Sequence, residues 1–165
     1  MATIDPRLAL LLDGLDEAFE RHSWHGTNLR GSLRGVTAEA AAWRLGPKRH
    51  NIWEVAVHAA YWKYVIWRKL TGAARGSFQL DGSNWFTRPA PGTRGLTTSW
   101  AADADLLLTQ HKLLREAVEA LDPDTLARPM PKSLYSPAYF VRGAAAHDLY
   151  HAGQIQLLKR LRMRR

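Results

Sequence analysis

The chain has 165 residues, 46% of them hydrophobic, with no cysteine and a formal net charge of +8. That length and apolar content fit one globular domain, residues 1–165, and exclude a disordered chain, while the lack of cysteine excludes a disulfide framework and any thiolate metal site. No apolar run nears the ~20 residues of a bilayer span, and Met1 to Pro6 lacks the basic and apolar stretches of a signal peptide, so the expected location is the cytoplasm, away from membranes.

Ile4, Leu8, Leu11, Leu12, Leu15 and Phe19 recur at helical spacing behind Pro6, which predicts a first helix ending before Ser23. His22 to Gly35, with three glycines and Asn28, reads as a connector, with His22 and His25 expected to face solvent or, alternatively, to support a ligand nearby. Thr37 caps a short helix through Arg44, which Gly46-Pro47 ends. Asn51 caps a long helix to about Leu70, whose buried stripe is Ile52, Val55, Ala59, Trp62 and Ile66, with His58 on the same side. Ala73 to Thr97 has no helical period, and a connection of that length suits a lid or binding loop, with Trp85 and Phe86 folding back onto the body.

Thr98 or Ser99 caps a third long helix with a seam of Trp100, Ala104, Leu107, His111, Leu114, Val118 and Leu121. Asp122-Pro123 ends it, and Asp124 to Ser136 is a second loop. Pro137 opens the last long helix, which runs to the basic terminus of Lys159, Arg160, Arg162, Arg164 and Arg165. Cations suit a helix C-terminus. No nucleic-acid-binding motif accompanies them, so nucleic acid is not an expected partner, and the charge suits steering of an anionic small molecule. Four long amphipathic helices predict an all-α bundle.

On the last helix His147 and His151 stand four residues apart, so their imidazoles project the same way. They share a stripe with Phe140, Ala144, Ile155, Leu158 and Leu161 that is expected to face the core. Buried imidazoles need partners, and a shared metal ion satisfies both; a pair of core-packed histidines is the alternative. The residue after His147 is Asp148, not the glutamate of the zinc protease signature, so the match is to ligand spacing alone. With His58 and His111, four histidines fall on core-facing positions, and three neutral imidazoles with an open position make a reactive site.

Thr27-Asn-Leu-Arg-Gly-Ser-Leu-Arg34, His50-Asn-Ile-Trp-Glu-Val-Ala-Val-His58-Ala-Ala-Tyr-Trp-Lys63 and His147-Asp-Leu-Tyr-His-Ala-Gly-Gln-Ile155 resemble motifs of the DinB-like superfamily, along nearly the whole chain. The resemblance implies a four-helix bundle in an up-down-down-up arrangement and a divalent metal held by His58, His147 and His151. It also implies a homodimer, and in several relatives transfer or isomerisation of adducts of mycothiol, bacillithiol or glutathione. Zinc or nickel is the first expectation for the metal, with iron and manganese also compatible with imidazole.

Around that site Gln154 can orient a ligand or simply pack. Tyr61 and Tyr150 can donate to a developing anion or pack. Asp148 points about 100° from His147 around the helix, towards solvent or another helix. Gly153 allows close helix approach or is a surface glycine. His111 is expected to be a core histidine. Two functions remain open: a metal-dependent enzyme activating water or a low-molecular-weight thiol for hydrolysis or transfer on a small substrate, and a non-catalytic protein that binds metal or a small ligand.

Overall fold

A computed structural model describes residues 4–164. Met1 to Thr3, part of the segment read for a signal peptide, and Arg165 of the basic run lie outside the described residues. Among the described residues the chain is all-helical: α1 (Pro6–Phe19), α2 (Leu29–Ser32), α3 (Ala38–Ala42), α4 (Ile52–Thr71), α5 (Leu96–Glu119) and α6 (Pro137–Met163), with a 3-10 turn at Pro123–Thr125. None of these helices is long and apolar enough to cross a membrane.

Side chains that accept from the first free backbone N–H groups set most helix starts. Asp5 accepts from Arg7 at α1, Thr37 from Ala40 at α3 and Ser136 from Tyr139 at α6. Asn51 accepts from the Glu54 backbone at 2.8 Å while its amide donates to Ala42 O, so one buried side chain ties α3 to α4. Gly72, at φ 74°, closes α4 in the left-handed conformation that glycine adopts without cost.

Three boundaries differ from expectation. α5 begins at Leu96 behind Gly95, at φ 73° and without a side-chain cap, rather than behind Thr98 or Ser99. Thr93 and Gly95 supply backbone carbonyls there instead, to Leu96 and Ser99. The connector after α1 contains α2, capped by Asn28 through Gly31 N; a single helical turn is too short to show a period. α3 stops at Ala42, since Trp43 is extended.

α4 packs along α5 and α1 along α6, while α4 also meets α6 and α1 also meets α5. Near the start of α4, Trp53 donates to Asp103 at 2.6 Å and meets Trp100 edge-on. Near its end, Ile66 shares a cluster with Leu114, Val118, Leu12 and Val141. Phe19 at the end of α1 stacks on His111, with ring centroids 3.7 Å apart. The loop after α4 folds back as expected: Phe86 is buried and packs with Tyr61 and Phe78.

The buried stripe of α6 runs through Val141, Ala144, Asp148, His151, Ala152 and Ile155. It is therefore centred about one position later than the sequence stripe. Asp148 lies inside it, and Phe140, His147, Leu158 and Leu161 lie at its edge. Likewise Lys63, not Trp62, is the buried residue on α4; Trp62 is 37% exposed.

Candidate metal centre

α4 supplies His58, and α6 supplies His147 and His151 one turn apart. One ligand atom from each lies within 4.8 Å of the others, so the group could hold a metal ion. His147 Nε2 is 3.2 Å from His58 Nε2 and 3.0 Å from His151 Nε2. Imidazoles on a tetrahedral ion, with bonds of ~2.0–2.1 Å, place neighbouring nitrogens roughly 3.3 Å apart. The observed spacing is close to that.

The far side of two rings is fixed by acceptors. His58 Nδ1 lies 2.7 Å from the carbonyl of Asn84, and His151 Nδ1 lies 2.7 Å from Oε1 of Gln154. A carbonyl oxygen only accepts, so both Nδ1 atoms carry the proton and both Nε2 atoms present lone pairs to the middle. His147 Nε2 faces both at once. A single N–H cannot serve two acceptors as well as one cation serves three lone pairs, so the donor set fits a divalent ion.

Burial keeps the rings neutral. It lowers the His147 imidazole to about 3, with His151 and His58 adding repulsion. His151 falls to about 4 and His58 is also lowered, both chiefly by burial. Neutral imidazole is the form that binds metal.

The loop after α4 roofs one side. Trp85 stacks on His58 at 3.8 Å between ring centroids and, on its other face, on His50 at 3.6 Å. Asn84 stands at φ 63°, where asparagine is tolerated better than most residues. Its carbonyl meets His58 while its side chain accepts from Trp62 Nε1 at 3.0 Å. On another side His147 borders a small, nearly wholly apolar cavity between α4 and α6.

The remaining candidates separate clearly. Gln154 touches the cluster. Tyr61 packs among Phe78 and Phe86, and Tyr150 is 64% exposed. Gly153 is a surface glycine with open space where a side chain would stand. His22 and His25 are exposed, as expected from their loop. Asp148 is an inter-helix contact: it pairs with Lys63 of α4, and both are buried. Neither Lys63 nor the roles of Asn84 and His50 were visible as site features in the sequence.

His111 is a core histidine, but an unsatisfied one. Both ring nitrogens are buried without a hydrogen-bond partner, and burial drives its imidazole down to about 2. Asp16, 3.9 Å away, is engaged by Arg115. An unfolded chain protonates this residue below its ordinary 6.5 while the folded chain does not, so its contribution to stability falls as pH falls below 6.5. His111→Leu should therefore stabilise by about 1 kcal/mol at neutral pH and by roughly 2 kcal/mol more at pH 5, with metal content unchanged. Urea titrations at the two pH values check this; a variant that loses metal would place His111 in the centre after all.

Residues 21–155 match the family model described as the DinB superfamily. No curated protein and no solved structure matches the chain.

Proposed function

The chain belongs to the DinB superfamily, and on that premise we propose that it is a metal-dependent enzyme whose divalent ion is held by His58, His147 and His151. The observation that carries the reading is the convergence of three Nε2 atoms, two of them turned inward by Asn84 O and Gln154 Oε1. When bound, the ion supplies Lewis acidity that lowers the pKa of a water or a low-molecular-weight thiol at the centre. Zinc and nickel suit three imidazoles best, with iron and manganese next.

The chain's own residues then do the following. Asn84 and Gln154 hold the tautomers and ring orientations of His58 and His151. Trp85 covers the His58 face and keeps water from it. His147, the least buried of the three, borders the cavity from which a small substrate would approach. With no cysteine in the chain, any thiol that takes part is a diffusible one. The alternative, a protein that binds metal or a small ligand without turnover, would suit a centre closed on all sides; the cavity at His147 favours the enzymatic reading.

The contacts described above support a four-helix bundle. α4 and α5 meet start to start, and α1 runs alongside α6, as an up-down-down-up order requires. A homodimer belongs to the same proposal: Trp62, Tyr135 and Tyr139 leave aromatic surface outside the core.

The test is turnover. Zinc- or nickel-loaded protein, offered mycothiol, bacillithiol, glutathione or water with small electrophiles, should show activity that chelation removes. Gln154→Leu, which frees His151 to change tautomer, should weaken metal binding about 10–100-fold. No turnover at full metal loading would favour the binding protein, and unaltered affinity in Gln154→Leu would remove that residue from the centre.

A further inference from the structure

His147 forms one wall of a cavity of about 170 Å³ between α4 and α6. The rest of the wall is Trp62, Val65, Ile66, Phe140 and Gly143, which offers little to a polar group. A dry apolar cavity of about 150 Å³ accepts benzene, so this slot has room for one ring. Tyr139, 48% exposed, stands at its mouth.

Lys69 also lines the slot. Its ammonium sits 5.0 Å over the Phe140 ring, a position that a cation–π contact favours. Among the described residues it makes no ion pair with a carboxylate. Lys69 further borders a groove of about 650 Å³ along α4, where Arg68 and Arg75 stand against a single acidic residue, Asp81. Trp62 and Val65 border both spaces. An apolar slot ending on a histidine of the centre, rimmed by a cation with no carboxylate partner among the described residues, selects for a molecule that is apolar at one end and anionic at the other.

We infer that the substrate of this centre is a small amphipathic acid: a ring-sized apolar body lies in the slot against His147, and its carboxylate meets Lys69. The inference rests on the metal-dependent reading of the histidine cluster for the word substrate, but not for the binding. A carboxylate on a lysine at the edge of an apolar slot makes a charge-assisted hydrogen bond stronger than one in open water. The net charge of +8 favours the approach of such an anion.

Gly143 makes the slot testable. A Cβ built there meets nothing within 4 Å, and leucine is a better helix former than glycine. Gly143→Leu should thus fill the slot without disturbing α6. Calorimetric titration with 3-phenylpropionate, 3-phenylpropanamide and propionate, on metal-free and on zinc-loaded protein, reads the inference. The aromatic acid should bind metal-free wild type one to one. The amide and propionate should each bind about tenfold or more weaker, since one lacks the charge and the other the ring. Lys69→Gln should erase the difference between acid and amide, and Gly143→Leu should abolish binding with its helical circular dichroism intact. Equal binding of acid and amide to wild type, or unaltered binding to Gly143→Leu, overturns the inference, as does failure of the acid to bind below about 1 mM. A chain that takes up no zinc would instead sink the metal centre while leaving the metal-free comparison to stand or fall by itself.

Discussion

Lys63→Met is expected to destabilise the protein by about 3–5 kcal/mol, because it leaves a carboxylate buried without its counter-charge. Lys63 and Asp148 form an ion pair between α4 and α6 with side chains 2% and 1% exposed. Burial pushes the Asp148 carboxyl upward and Lys63 pulls it back, while its Oδ1 has no partner at all. Without Lys63 only burial acts, so Asp148 must either stay charged in an apolar layer or take up a proton. Asp148→Leu alone should cost a similar amount, since the ammonium is then stranded beneath Phe19, whose ring lies 4.7 Å from it. The double variant should recover most of the loss, because an apolar pair of similar volume is often as stable as a buried ion pair. Urea denaturation at neutral pH measures the cycle. Single variants costing under ~1 kcal/mol would mean that the pair is hydrated rather than buried.

Removing the metal should have the next largest effect. An ion bound only by the folded chain at about 1,000 times its Kd contributes roughly 4 kcal/mol, which for a chain of this size is about 8–16 °C in Tm. Chelation at neutral pH should produce that drop, and only acid strong enough to protonate the folded imidazoles should close the gap. Protons compete for the folded imidazoles only as pH nears their lowered values, about 4 for His151 and about 3 for His147, so occupancy should hold through pH 5 and fall below about 4. Loaded and metal-free protein should both weaken in milder acid, through the unfolded chain. Burial holds His147 at about 3 and His151 at about 4 when folded, so below 6.5 the unfolded chain binds protons that the folded chain refuses. Each such group costs about 1.4 kcal/mol per pH unit until its folded value is reached. Loaded and chelated samples should therefore both melt lower at pH 5 than at pH 7.5 with the gap between them kept, and the gap should close only below about pH 4. Convergence of the two samples already between pH 6 and 5 would contradict ligands held neutral by burial.

The three site histidines were legible because helical spacing and a family resemblance act locally. His147 and His151 are one turn apart whatever the tertiary fold, and His58 shares its side of α4 with Val55. Long helices showed through their periods and caps, as Asn51 and Ser136 illustrate. The Lys63–Asp148 pair was not legible, since a charged residue on a helix reads as solvent-facing until a partner 85 positions away is placed against it. A signal was nevertheless present: Ala56, Ala60, Lys63 and Ile66 lie on one face of α4, and all four are buried. The start of α5 was hidden because Gly95 uses a left-handed backbone rather than a capping side chain. Asn84 was hidden because it acts on His58 through its carbonyl, a group every residue has. The His50–Trp85–His58 stack required a loop conformation that no periodicity encodes.

On the proposed function, three histidines from two helices hold one ion. Elemental analysis of protein purified without chelator or an affinity metal tests it most directly, on the wild type and on His58→Ala, His147→Ala, His151→Ala and His111→Ala. Wild type and His111→Ala should each carry about one divalent ion per chain, and each of the other three variants should lose most of it. Full stoichiometry in His58→Ala would contradict the triad, and a metal-free wild type that melts as it does after loading would make the cluster core packing.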